Sequence, residues 1–231
     1  MKIIIAPSKS MKPLDYNFKT KEIEFPKENE MLHRIMMNYD IEEIMNLMKI
    51  SYKQSEKVYH YYHDNNVKYP ALYLYSGTVF KQLSLDLYGE KEFDYLRQLN
   101  ILSAYYGVLD YNSLINNYRL DMSMKPEGIN LYDYWYTPIY RYFKSEDYII
   151  DLSSKEFSRM VNHPHKIFID FIIYRNGKPT RNGALVKKAR GIMLDYMVLN
   201  KIDIDHIKDI EIDGFSYHDE LSDEHNYVFI K

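Results

Sequence analysis

Ile167-Phe168-Ile169-Asp170-Phe171-Ile172-Ile173-Tyr174 is the stretch on which the fold turns. It is short, rich in β-branched and aromatic residues, and Asn176-Gly177 follows it as a strong turn signal. That combination predicts a strand. A helix is predicted beyond it, from Ala184 to Asn200. Immediately upstream, Tyr148 to Leu152 reads as a second apolar strand interrupted by Asp151. Ser153 with Glu156 forms a capping-box pattern, so a helix is expected to open as that strand ends. Ile3 to Ala6 is a further buried strand, stopped by Pro7. Glu28 to Met48 keeps apolar residues three and four apart and predicts helix, with Asp40 placed to cap a second one. Ser51 and Gln54 predict another helix over Tyr52 to His63. Ala71 to Tyr75 reads as a short strand, Glu92 to Leu99 as a short helix, and Ile210 to Ile212 and Tyr227 to Ile230 as closing strands. Strands and helices mix along the whole chain without a repeat or a linker. The expectation is a single domain over residues 1–231, of mixed α/β (α+β) class, with a mixed sheet flanked by helices.

Composition narrows the function. The chain has 231 residues and no cysteine, which excludes a disulfide framework, a zinc ribbon and a thiol redox sensor. No apolar run is long enough to span a membrane, and the apolar start is too short for a signal peptide, so the expected location is the cytoplasm. The abundant tyrosine (25 residues) is read as compositional bias. Net charge is −3, which by itself argues nothing for nucleic acid. Its distribution is segregated. Between Phe171 and Leu194 lie six basic residues and no acid: Arg175, Lys178, Arg181, Lys187, Lys188 and Arg190. Between Asp203 and Glu224 nine acids face one lysine, Lys208.

Several segments, read in order, resemble the YaaA family of bacterial peroxide-stress proteins. They are Ile5-Ala6-Pro7-Ser8-Lys9-Ser10, Tyr75-Ser76-Gly77-Thr78-Val79-Phe80 and Leu102-Ser103-Ala104-Tyr105-Tyr106-Gly107-Val108-Leu109, the last continuing to Tyr118-Arg119-Leu120-Asp121-Met122. Leu131-Tyr132-Asp133-Tyr134-Trp135, Asp151-Leu152-Ser153-Ser154-Lys155-Glu156-Phe157 and Lys187-Lys188-Ala189-Arg190-Gly191-Ile192-Met193 complete the set. Where family members commonly carry Gly and Asn, this chain has Ala104 and Asp151. The resemblance implies protection against hydrogen peroxide linked to limiting free iron. It also implies a fold containing a helix-hairpin-helix element and a basic cleft, with double-stranded or branched DNA as ligand. It implies no established enzymatic activity and no cofactor.

The candidate site residues follow from these segments. Tyr106 and Gly107 are expected in the turn of the hairpin, with Asp110 or Asn112 capping a second helix through Leu114 and Ile115, so that backbone amides meet phosphate. Lys187 and Arg190 share a helix face, with Lys188 on its edge. Gly191 in mid-helix costs about 1 kcal/mol relative to alanine, which is reasonable where a backbone or ligand comes close. Lys9 and Ser153 follow strands, where α/β sheets bind ligands. Arg119 reads as a phosphate clamp or a structural ion pair. The histidine pairs His60/His63 and His163/His165 lack a third ligand at a fixed offset, so no metal site is expected. Two functions fit. One is a DNA-binding protein gripping phosphates through Lys9, Arg119, Lys187, Lys188 and Arg190. The other is an enzyme on a small anionic substrate, phosphate- or carboxylate-bearing, with Tyr106, Glu156 and Lys188 as participants. A deep closed pocket favours the second, and a groove wide enough for a duplex the first.

Overall fold

The structure is a computed structural model and describes residues 1–64, 67–175, 178–180 and 182–231. In chain order its strands are β1 Lys2–Ile5, β2 Tyr69–Pro70, β3 Leu99–Ser103, β4 Gly107–Asp110, β5 Leu114–Ile115, β6 Ile149–Asp151, β7 Lys166–Arg175, β8 Lys178–Thr180, β9 Ser216–Tyr217 and β10 Asn226–Ile230. Its α-helices are α1 Pro26–Asn38, α2 Ile41–Met48, α3 Tyr52–His63, α4 Ala71–Leu74, α5 Glu90–Tyr95, α6 Leu131–Phe143, α7 Lys155–Ser158 and α8 Gly183–Asn200. The mixed α/β class expected from the sequence is the one observed.

The main sheet runs β4-β3-β1-β6-β7-β10-β9, with β8 paired to the far end of β7. Its centre is parallel: β1 pairs with β3 and β6, and β7 with β6 and β10. The edges β4 and β9 are antiparallel. Ile3, Ile4 and Ile5 are wholly buried, as a central parallel strand covered on both faces requires. This arrangement brings the carboxyl ends of β1, β3 and β6 side by side.

Local signals set most of the helices. Asp40 closes a full capping box with Glu43, dividing α1 from α2. The Ser51 side chain accepts from the Gln54 amide and opens α3. In α6 the buried residues Leu131, Trp135, Ile139 and Phe143 recur every four positions, one stripe against the core.

Four expectations are corrected. Ala71–Leu74 is a helical turn, not a strand: its amides are taken by carbonyls of the 111–113 segment, with Ala71 N–H on Ser113 O at 2.9 Å and Leu72 N–H on Tyr111 O at 3.0 Å. Tyr105 to Leu109 is not the turn of a helix pair. Leu99–Ser103 and Gly107–Asp110 form an antiparallel β-hairpin, and Leu114 and Ile115 pair with β2. Ser153 does not cap a helix, because its hydroxyl donates to Asp151 Oδ1 at 2.6 Å, and α7 starts after Ser154. Ile210–Ile212 contributes only an isolated bridge between Ile212 and Phe215. The Asn176-Gly177 turn and Arg181 lie outside the described residues.

Candidate functional site

The loops that leave β1 and β6 at their carboxyl ends meet in one cavity of about 400 Å3. Ala6 to Met11 forms one wall, and Leu152, Ser154, Glu156 and Phe157 another. Gly77–Phe80, Tyr118–Asp121 and the first turns of α8, through Lys187 and Arg190, complete it. The crevice outside the carboxyl ends of parallel strands is where open α/β sheets hold ligands. Backbone bonds fix the first wall: Ser76 N–H donates to Ser10 O at 2.9 Å and Lys12 N–H to Leu74 O at 2.8 Å. Gly77 is required there, since a Cβ would stand 2.3 Å from Ser8 Oγ.

Arg190 is the most buried cation of the site, 8% exposed, and its Nε has no protein partner. Its guanidinium lies 5.7 Å from the Phe168 ring centroid. Burial lowers its pKa, and the carboxylates of Asp151 and Asp170 oppose that shift. Asp151 is fully buried. The amide and hydroxyl of Ser153 donate to its Oδ1, at 2.8 and 2.6 Å, while Oδ2 has no partner. Burial raises this carboxyl above its ordinary value. Lys166 beneath donates to the carbonyls of Ser158 and Val161 at 2.8 and 2.6 Å, and burial lowers its pKa.

Arg119 also has a buried Nε without a partner. The Tyr62 hydroxyl pins its backbone, donating to Arg119 O at 2.8 Å. At the mouth, Lys9 is 60% exposed and paired with Asp121 at 2.5 Å. Glu156 is held by the Met122 amide at 3.1 Å. Lys187 is exposed. Four cations thus converge on two carboxylates, with the hydroxyls of Ser8, Ser10, Thr78 and Ser154 between them. Unsatisfied guanidinium donors in an enclosed, partly apolar site favour an anion with several acceptor oxygens.

Of the residues picked from sequence, Lys9, Arg119, Glu156, Lys187 and Arg190 line this cavity. The other five stand elsewhere, each for a visible reason. Tyr106 is 5% exposed and its hydroxyl accepts from the Asn116 amide at 3.1 Å. Gly107 has φ +76°, and a Cβ there would stand 2.6 Å from Trp135 and 2.8 Å from Phe25. Ser153 is buried against Asp151. Lys188 turns toward Asp213, at 3.8 Å. At Gly191 the close neighbour is backbone: a Cβ would lie 2.4 Å from Val79 O. Sequence reasoning missed Thr78 and Asp121 as wall residues, although both sit inside the segments that carry the resemblance. Among the described residues no group of three or more His, Asp or Glu side chains is placed to hold a metal, and no helix is long and apolar enough to cross a membrane.

These features define a class first: α/β proteins with a cationic cavity at the carboxyl ends of a parallel sheet. The family profile described as Peroxide stress protein YaaA matches residues 1–221. The chain is 34% identical to a UPF0246 protein of Fusobacterium nucleatum subsp. nucleatum, over 100% of this chain and 99% of that one. UPF0246 proteins of Finegoldia magna and Desulfitobacterium hafniense are each 32% identical, over 100% of this chain and 98% of theirs. The chain therefore belongs to the YaaA family of peroxide stress proteins.

Proposed function

We propose that this chain serves peroxide defence by holding a phosphate-bearing ligand in the cavity at the carboxyl ends of β1 and β6. The observation that carries the reading is Arg190: a residue 8% exposed, lining the cavity, with a buried Nε that no protein group satisfies. A buried donor without a partner costs free energy that a bound oxygen would recover.

DNA is the first source of that phosphate. Exposed Lys9 and Lys187 at the mouth extend the positive charge outward, and the chain belongs to a family of peroxide stress proteins, so on this reading DNA under oxidative attack is what it shields. The second source is a small phosphate- or carboxylate-bearing substrate. The size of the cavity favours it, since about 400 Å3 admits one nucleotide-sized group and not the side of a duplex. Asp121 and Glu156 would then receive its hydroxyls or protons.

Binding to a fluorescent duplex and a four-way junction across a salt series separates the two. Inorganic phosphate and a nucleoside monophosphate serve as competitors. For DNA, affinity falls steeply with salt. Lys187→Ala/Arg190→Ala lowers it at least about tenfold, whereas Lys188→Ala, which removes only a surface ion pair, leaves it within about twofold. Nucleotide binding lost in the same double variant, without duplex or junction binding, assigns the site to a small ligand. No binding of either kind overturns the reading.

A further inference from the structure

Five buried tyrosines form one cluster behind the cavity wall: Tyr62, Tyr75, Tyr105, Tyr106 and Tyr118, each under 9% exposed. Tyr118 lines the cavity. It stacks on Tyr105 with ring centroids 5.3 Å apart and planes 22° apart, and it meets Tyr106 edge-on at 5.1 Å. Tyr105 meets Tyr106 at 4.7 Å and Tyr62 at 5.4 Å. These separations are ordinary for packed aromatic pairs. What sets one ring apart is the partner of its hydroxyl.

Four of the hydroxyls face groups that take up no proton at neutral pH. Tyr62 donates to the Arg119 carbonyl, and Tyr106 accepts from the Asn116 amide. Tyr75 and Tyr118 share a bond at 2.7 Å, and Ser103 Oγ donates to Tyr118 at 2.8 Å. Tyr105 alone of the five faces an imidazole, His33 Nδ1, at 2.8 Å. Burial, and then neighbouring His63, lower the pKa of His33 against a smaller opposing effect of Glu30, so its ring is neutral at pH 7, and in the Nε2–H tautomer its Nδ1 accepts from the Tyr105 hydroxyl. Burial also holds the Tyr105 phenol far above its usual range, so this group loses its proton only to a base already in place. His33 itself is partly exposed, so the imidazolium formed there is in reach of water.

We infer that Tyr105, hydrogen-bonded to His33 and stacked on the cavity-lining Tyr118, is a one-electron oxidation site that draws oxidising equivalents out of the cavity. The oxidant is a radical of the kind peroxide chemistry produces, a hydroxyl radical or an oxidised nucleobase. One electron passes from Tyr105 across the Tyr118 ring to the oxidant, which is reduced by one electron. The phenolic proton moves along the 2.8 Å bond to His33 Nδ1. The products are a neutral tyrosyl radical, an imidazolium and the reduced oxidant. A small thiolate from solvent then returns one electron and becomes a thiyl radical, while His33 returns the proton. This gives a chain with no cysteine a redox-active side chain of its own.

The inference stands without the proposed ligand, and its test uses the full chain with the cavity empty. Photogenerated ruthenium(III) tris-bipyridine supplies the one-electron oxidant. Freeze-quench electron paramagnetic resonance reads the radical, and a nitroso spin trap followed by peptide mass spectrometry locates it. The expected result is an adduct at Tyr105, absent in Tyr105→Phe. In His33→Gln, which leaves every tyrosine in place, radical yield at Tyr105 is expected to fall about tenfold through loss of the base. Tyr136→Phe removes an exposed tyrosine and should leave the Tyr105 adduct unchanged. Adducts confined to exposed tyrosines such as Tyr52, Tyr136 and Tyr140, or a Tyr105 radical indifferent to His33→Gln, would overturn the inference.

Discussion

Arg190 and Asp195 lie on the same helix, α8, and meet opposite fates. Asp195 is saturated. The Ser84 amide and hydroxyl donate to it at 2.7 and 2.8 Å, and the Tyr88 hydroxyl at 2.6 Å. It ties α8 to the segment that opens at Ser84, with both carboxylate oxygens engaged. Arg190 is more deeply buried, yet its Nε is unmatched and it borders the cavity. Its countercharges, Asp151 and Asp170, come from strands β6 and β7. A buried charge with a full set of partners is an anchor. One with a donor to spare is a binding group whose partner comes from outside.

The sharpest break of that comparison is Asp195→Ala. It strands three donors at the α8 junction and should cost about 3 kcal/mol of stability, read from urea unfolding, while any ligand affinity persists. If stability is untouched, the anchor reading fails. Arg190→Met should behave in the opposite sense. Removing one charge-assisted hydrogen bond of about 1.5–3 kcal/mol lowers affinity by roughly 10- to 100-fold. The melting temperature should fall less than in Asp195→Ala, because no donor is stranded and the buried carboxyl of Asp151, left short of a countercharge, can take up a proton. A variant that melts much lower would make Arg190 an anchor too.

The smallest effect sharpens the floor beneath them. Burial raises the Asp151 carboxyl above its ordinary 3.8, so over some pH range the folded chain retains a proton that the unfolded chain releases. Stability then falls as pH rises from about 4 through the raised value, and the loss persists above it. Asp151→Asn cannot ionise. Its melting temperature should exceed that of the unchanged chain at pH 7 and converge with it near pH 3.5. No gain at pH 7 would mean that Arg190 and Lys166 together compensate the carboxylate fully.

What the sequence made legible was whatever short-range chemistry decides. Asp40 breaks α1 from α2, and Ser51 opens α3, through contacts spanning three residues. Ile3 to Ala6 and Ile167 to Tyr174 read as strands because short β-branched runs end there in a proline or a turn signal. Ala71 to Tyr75 also read as a strand, yet Ala71–Leu74 is a helical turn, since an entirely buried run carries no period, and remote carbonyls at Tyr111 and Ser113 choose its shape. Ser153 was claimed by Asp151, two residues upstream, before it reached the helix. Helix α6 was hidden by its tyrosines and by Pro138, although its buried stripe is regular. For the site, the segments were legible and the facing was not. Lys187 and Arg190 turn to the cavity while Lys188 and Gly191 turn away. That phase depends on how α8 seats on Val79 and Gln82, a contact more than a hundred residues away.

The placement of β1 governs how this chain folds. Ile3 pairs with Leu99, and Lys2 with Ile149, so the strand at the middle of the sheet waits for partners that lie far along the chain. Two long loops must close before its ladder is complete, which makes assembly slow relative to a helical bundle of this size. Until then Ile3, Ile4 and Ile5 form an unpaired apolar edge, the segment of this chain with most need of a chaperone during folding.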